Sequence, residues 1–246
     1  MPTCPVTNLR RSLKNDMTTL LAMPSTFSLL QDAISPVQLR PYQQAGDDEA
    51  DTIARYLWNA ALCESFYAPL QHLEVTLRNN LYEQIAAFKR DSLWLDENTP
   101  WLANEQAGAV SESKTLLARQ GKPLTTGHLI AELPFSFWTG LLRADYEQNL
   151  WPRLVVRVFP GFPPNRRARA VLSGRLNDVR HLRNRVFHHE PLWNRPRLEA
   201  EYEEIIETIG WMNPAMKRII RATETFPHVS APEQLGELKA LIEKEF

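Results

Sequence analysis

Residues 168–194 read ARAVLSGRLNDVRHLRNRVFHHEPLWN, and their spacing sets the fold class. On a helical wheel Leu172, Leu176, Val179, Leu182 and Val186 fall within about 120° of arc, one continuous apolar stripe. Asn177, His181, Asn184 and His188 fall on the opposite side. Arg175 lies inside the stripe and Arg183 near its margin. Pro163 and Pro164 precede this pattern, and Pro191 and Pro196 follow it. The reading is a basic amphipathic helix over 166–189.

Working outward, the same period recurs along most of the chain. Residues 28–34 predict a short helix ended by Pro36, and 43–51 a polar loop or helix N-terminus. A helix is expected over 51–68, with Ile53, Leu57, Ala60 and Ala61 on one face. Pro69 marks a boundary or kink, and 70–88 continues as a helix with Leu70, Leu73, Leu77, Leu81 and Phe88 on one face. A loop follows over 91–101, then helices over 105–119 and 126–133, apolar segments over 134–142 and 151–158, a helical region over 199–223 broken near Pro214, and a last helix in 232–246. Residues 1–24 lack an apolar period and read as a loose leader; 25–246 read as one all-α domain.

Composition narrows the function classes. Nine glycines against eighteen prolines in 246 residues disfavour a glycine-rich phosphate loop and the many tight turns of an all-β fold. Two cysteines, Cys4 and Cys63, cannot build a disulfide framework or a four-cysteine zinc site, and fit reduced thiols in the cytoplasm. No apolar run approaches the roughly 20 residues that span a bilayer. The net charge of −1 hides an asymmetry. Residues 151–185 hold nine arginines and one acid, whereas 186–246 hold eleven acids and seven Lys or Arg. Such a basic stretch is the footprint of a phosphate-bearing partner or, more plainly, a solvated face. Glu74, within the stripe of 70–88, and Arg175 are expected to be buried charges, with Arg175 the first candidate partner of Glu74 and Arg78 or Arg183 the alternatives.

The chemistry concentrates in 183–194, RNRVFHHEPLWN, where Arg183 and Asn184 precede His188 in an R-N-x-x-x-H arrangement. This run resembles the HEPN superfamily, whose active members are metal-independent ribonucleases, and within it the Abi family of bacterial abortive-infection proteins. SPVQLRPY at 35–42, LEVTLRN at 73–79, and PFSFW at 134–138 with LWP at 150–152 are similar to other elements of that family, in the same order. The chain departs from the pattern at Phe187, where a small residue is usual.

The resemblance implies a HEPN-type helical bundle, with additional peripheral helices, that forms a homodimer and joins two copies of the motif in one cleft. It implies Arg183 and His188 as the catalytic pair, with Asn184 supporting them, in an endoribonuclease with an abortive-infection or toxin role and possible neutralisation by a cognate antitoxin. Phosphodiester cleavage without a metal needs a group to move the 2′-hydroxyl proton, which histidine can do near neutrality. It also needs a cation against the crowded phosphorane, which the arginine fork suits. The expected product is a 2′,3′-cyclic phosphate. Arg180, His181, Arg185 and His189 on the basic helix are expected to bind the RNA.

Other readings compete. His181 and His188 share a face but stand about 10 Å apart along a helix, too far for one ion, so no metal or cofactor is expected. His189 and Glu190 are expected to cap the helix end. Trp58, Trp138, Trp151 and Trp193 could stack bases but at their spacing belong more often to a core. The alternative function is an RNA-binding, regulatory module that uses the same basic helix without cleaving.

Overall fold

The computed structural model describes residues 26–151 and 153–245, so the expected leader lies outside the described residues. Among the described residues all regular structure is helical. Twelve α-helices follow one another: α1 (Thr26–Ile34), α2 (Pro36–Leu39), α3 (Glu49–Lys89), α4 (Asn104–Arg119), α5 (Thr126–Glu132), α6 (Phe135–Gly140), α7 (Val155–Val158), α8 (Arg169–Phe187), α9 (Leu198–Met212), α10 (Pro214–Thr223), α11 (Phe226–Val229) and α12 (Glu233–Glu245). The all-α class read from the sequence is the class observed. The described residues divide into two compact units, one from 26–57 with 235–245 and the other within 58–234.

In the smaller unit Ile53, Ala54 and Ile242 form a small core, with Phe27, Leu30, Leu235 and Leu238 packed on it. Lys239 bridges Asp48 and Asp51 at 3.1 and 2.8 Å, and Arg55 grips the Asp47 carboxylate with both terminal nitrogens. That grip, an Arg55 hydrogen bond first of all, holds the Asp47 carboxyl below the usual carboxylate range.

The larger unit carries the main core. Along α3, Leu62, Phe66, Leu70, Leu73, Leu77, Leu81 and Ile85 are all buried. This one face runs on both sides of Pro69, and the helix continues through it, so no boundary falls there. Proline inside a helix costs about 3 kcal/mol, which burial of two flanking leucines and a phenylalanine outweighs. Of the face read over 51–68, Ile53 is buried as expected, but Leu57 and Ala60 are exposed, and Leu62 and Phe66 are buried instead. Trp94 and Trp138 are fully buried, with Trp94 beside Trp101 at 5.4 Å and Phe137 at 6.5 Å. Tyr146 ties this cluster to α4: its hydroxyl donates to Gln106 at 2.9 Å and accepts from the Ala103 amide at 3.0 Å.

Proline and asparagine together set the break in the last long helical region. Asn213 caps α10, its Oδ1 accepting from the amides of Ala215 and Met216 at 3.0 and 3.1 Å, while Pro214 occupies the first turn, where no amide is required. Helix α8 packs against α6 and α9. All five residues of its apolar stripe are buried. No helix among the described residues is long and apolar enough to cross a membrane.

Candidate nucleic-acid interface

The two ends of α8 position the basic residues. Its start is later than expected, because Pro164–Arg166 forms a 3₁₀ turn and Ala168 is extended, with φ −125° and ψ 136°. Its end is earlier: the last helical residue is Phe187, and His188 is the C-cap with φ −94° and ψ 8°. His189 follows in the left-handed region at φ 58°. The Glu190 amide reaches back to the Arg185 carbonyl at 2.9 Å and the His189 amide to that of Val186 at 3.3 Å. This pair of bonds is a Schellman closure, and it satisfies carbonyls that the helix end leaves unpaired. Pro191 disfavours a helical Glu190, which is why the chain turns here and not two residues later.

The turn is held from both sides. Arg185 pairs with Glu190 at 3.2 Å and donates to the Pro191 carbonyl at 3.1 Å. Asn59, buried on α3, accepts at Oδ1 from the amides of Leu192 at 2.6 Å and Trp193 at 3.3 Å. Its own amide group donates to Cys63 Sγ at 3.8 Å. Burial pushes the Cys63 thiol up to about 11, so at neutral pH it stays protonated and is a poor nucleophile. Asn59 was missed by sequence reasoning. An asparagine amid an otherwise apolar helical run was the available signal, but its partner loop lies more than 130 residues away.

The sequence-derived site residues separate into two groups. His188 and His189 are exposed and Asn184 is half-buried, and none of the three has a side-chain hydrogen bond among the described residues. Within the backbone, the His188 amide donates to the Asn184 carbonyl at 2.9 Å. Arg183 lies over the Phe187 ring, its guanidinium carbon 4.7 Å from the centroid, with Nε buried and without a hydrogen-bond partner among the described residues. Phe187 in turn sits 6.0 Å from Tyr67 of α3. Arg180 donates to Asn177 at 2.8 Å and approaches His181 Nε2 at 3.3 Å. Arginine has no acceptor, so His181 must accept there. Arg185 is engaged by the helix end.

Arg175 overturns the expected Glu74 pairing. Its side chain is 10% exposed and pairs with Glu207 of α9 at 3.0 Å, donates to the Glu204 carbonyl at 3.2 Å, and lies over Trp211 at 5.0 Å. Glu74 is half-buried and makes no ion pair among the described residues. Of the nine arginines in 151–185, Arg169, Arg175 and Arg185 have carboxylate partners at Glu147, Glu207 and Glu190. Arg153, Arg157, Arg166, Arg167, Arg180 and Arg183 form no ion pair among the described residues.

A polar cleft of about 420 Å³ opens beside α8, lined by Ser136, Thr139, Arg143, Ser173, Asn177 and Arg180. Arg143 in it is bound to Glu105. Among the described residues no group of three or more His, Cys, Asp or Glu side chains is placed to hold a metal ion. Trp138 and Trp151 are buried, with Trp151 Nε1 donating to the Leu141 carbonyl at 2.9 Å, and Trp58 Nε1 donates to Val229 at 2.8 Å. Comparison with family models, with curated proteins and with solved structures finds no match to this chain.

Proposed function

We propose that the chain is a metal-independent endoribonuclease of HEPN type, in which His188 moves the proton of the attacking 2′-hydroxyl and Arg183 faces the phosphate. The observation that carries this reading is the end of α8: the helix stops one residue before an exposed His188, with Asn184 and Arg183 in the turn that precedes it. The His188 amide still donates to the Asn184 carbonyl at 2.9 Å, so Arg183 and His188 keep roughly the 140° divergence of a helix, and the two would converge on one phosphate across a dimer. Arg180 and Arg183, without carboxylate partners among the described residues, add positive charge on α8 ahead of His188, which suits an RNA backbone.

The reaction divides between these groups. Neutral His188 accepts the 2′-hydroxyl proton as that oxygen attacks phosphorus; the 5′-oxygen leaves and takes up a proton, giving a 2′,3′-cyclic phosphate. Arg183 offsets the charge that builds on the non-bridging oxygens, and Asn184 tunes its placement. One copy provides a single histidine and a single arginine, so a two-fold homodimer that brings two copies to one cleft completes the site. A cytoplasmic toxin or phage-defence role, held in check by an antitoxin, belongs to the same reading.

RNA retention without cleavage is the second reading. It is favoured by the stacking of Arg183 on Phe187, which ties up the guanidinium at its base. Digestion of mixed-sequence RNA in EDTA separates the two. Wild type should cleave and leave cyclic phosphate ends, and His188→Ala should be slower by about 10²–10⁴-fold while still binding RNA. Cleavage that persists in His188→Ala, or that requires added metal, refutes the mechanism; binding with no cleavage across a broad substrate panel establishes the second reading.

A further inference from the structure

Two large aromatic side chains stand exposed together beside the motif. Tyr67 is 55% exposed and Phe187 41%, and their rings lie 6.0 Å apart at 59°. They come from different helices, α3 and α8, so their pairing is made by the fold and not by local spacing. Arg183 lies against Phe187, and Arg180 shares its flank of α8 one turn back. Neither arginine has a carboxylate partner among the described residues.

We infer that Tyr67 and Phe187 form a stacking platform for one unpaired nucleobase, and that this platform makes single-stranded RNA the substrate class of the site. The inference rests on the RNA reading above and adds to it a residue set and a preference. An aromatic face is sequence-tolerant, because every base presents a π-surface to it. A duplex hides those surfaces in its own stack, whereas a single strand can splay one base out. The cationic flank complements the phosphates on either side of that base, which argues for a nucleic acid over an apolar peptide. Of the tryptophans that could have stacked bases, Trp138 and Trp151 are buried and unavailable. Phe187 takes this role at the position where the sequence departs from the pattern it otherwise resembles.

The test is binding, kept apart from turnover by working in full-length His188→Ala. Fluorescence anisotropy compares a labelled single strand with the duplex of the same sequence for three added substitutions: Tyr67→Ala, Phe187→Ala and Phe187→Leu. Each should weaken single-strand binding by about 5- to 150-fold, the range of one lost base stack, and leave duplex binding unchanged. Tyr67→Ala leaves the Arg183–Phe187 contact in place, so its effect reports on stacking alone. Phe187→Leu keeps an apolar side chain, so wild-type affinity in that variant overturns the platform. Equal losses for both RNAs, or none, also overturn it. A concentration-dependent dimer that Phe187→Ala abolishes without changing RNA affinity assigns the patch to a contact between copies instead. If the parent protein binds neither RNA, the RNA reading itself fails and the platform with it.

Discussion

At φ 58°, His189 holds a backbone conformation in which any residue but glycine crowds its own Cβ. Histidine tolerates this region better than most, yet the cost remains of order 1 kcal/mol. Its amide closes the α8 terminus and its imidazole is solvent-exposed. His189→Gly should therefore raise thermal stability slightly, by about 0.5 kcal/mol once the greater freedom of glycine in the unfolded chain is counted, with cleavage unchanged. A His189→Gly variant that loses RNA affinity would place this imidazole in the interface. The sequence already pointed to a helix end at His189 and Glu190, because Pro191 forbids continuation. It could not show that the helix ends at Phe187 with His188 as its cap, since that depends on the reach-back of the Glu190 amide to Arg185.

Helix α8 was legible because its apolar period is complete, and each residue of that stripe is buried. Its neighbours were less so. The same period says that Arg175 needs a carboxylate, but the choice between Glu74 and Glu207 depends on which helix packs there, and α9 does. The consequence can be measured. Arg175→Ala removes a 10%-exposed guanidinium from Glu207, the Glu204 carbonyl and the Trp211 face, and should cost about 2 kcal/mol. Glu74→Ala, lacking an ion pair, should cost less than about 1 kcal/mol, although a Glu74–Arg175 pair would have made it the larger loss. Urea unfolding of the two variants decides the order. Asn59 shows the limit of periodicity more sharply. Asn59→Ala leaves two amides of the 192–193 turn without their acceptor, an expected loss of about 2–3 kcal/mol. If the turn positions His188, cleavage should fall in Asn59→Ala at temperatures where the protein remains folded.

Across the whole chain the arginine-rich segment and the acid-rich segment that follows it partly answer one another. Glu190 and Glu207 neutralise Arg185 and Arg175, and Glu147, from before the segment, neutralises Arg169. The charge count along the sequence thus overstates the field available to a partner, because it cannot separate guanidinia already paired within the fold from those left over. Six of the nine arginines have no carboxylate partner among the described residues. Binding to single-stranded RNA releases about 0.7 counterions per phosphate neutralised, so the slope of log affinity against log salt should be no steeper than about −4 if all six make contact. Single substitutions then sort the arginines. Arg183→Ala and Arg180→Ala should each flatten the slope by about 0.7, whereas Arg169→Ala should leave it unchanged, its guanidinium being already bound to Glu147 and the Leu142 carbonyl. Measuring these slopes in the His188→Ala background keeps the RNA intact during titration. A slope that flattens as much for Arg169→Ala as for Arg183→Ala would mean that the internal ion pairs open on binding, and that the basic segment acts as one undivided charge.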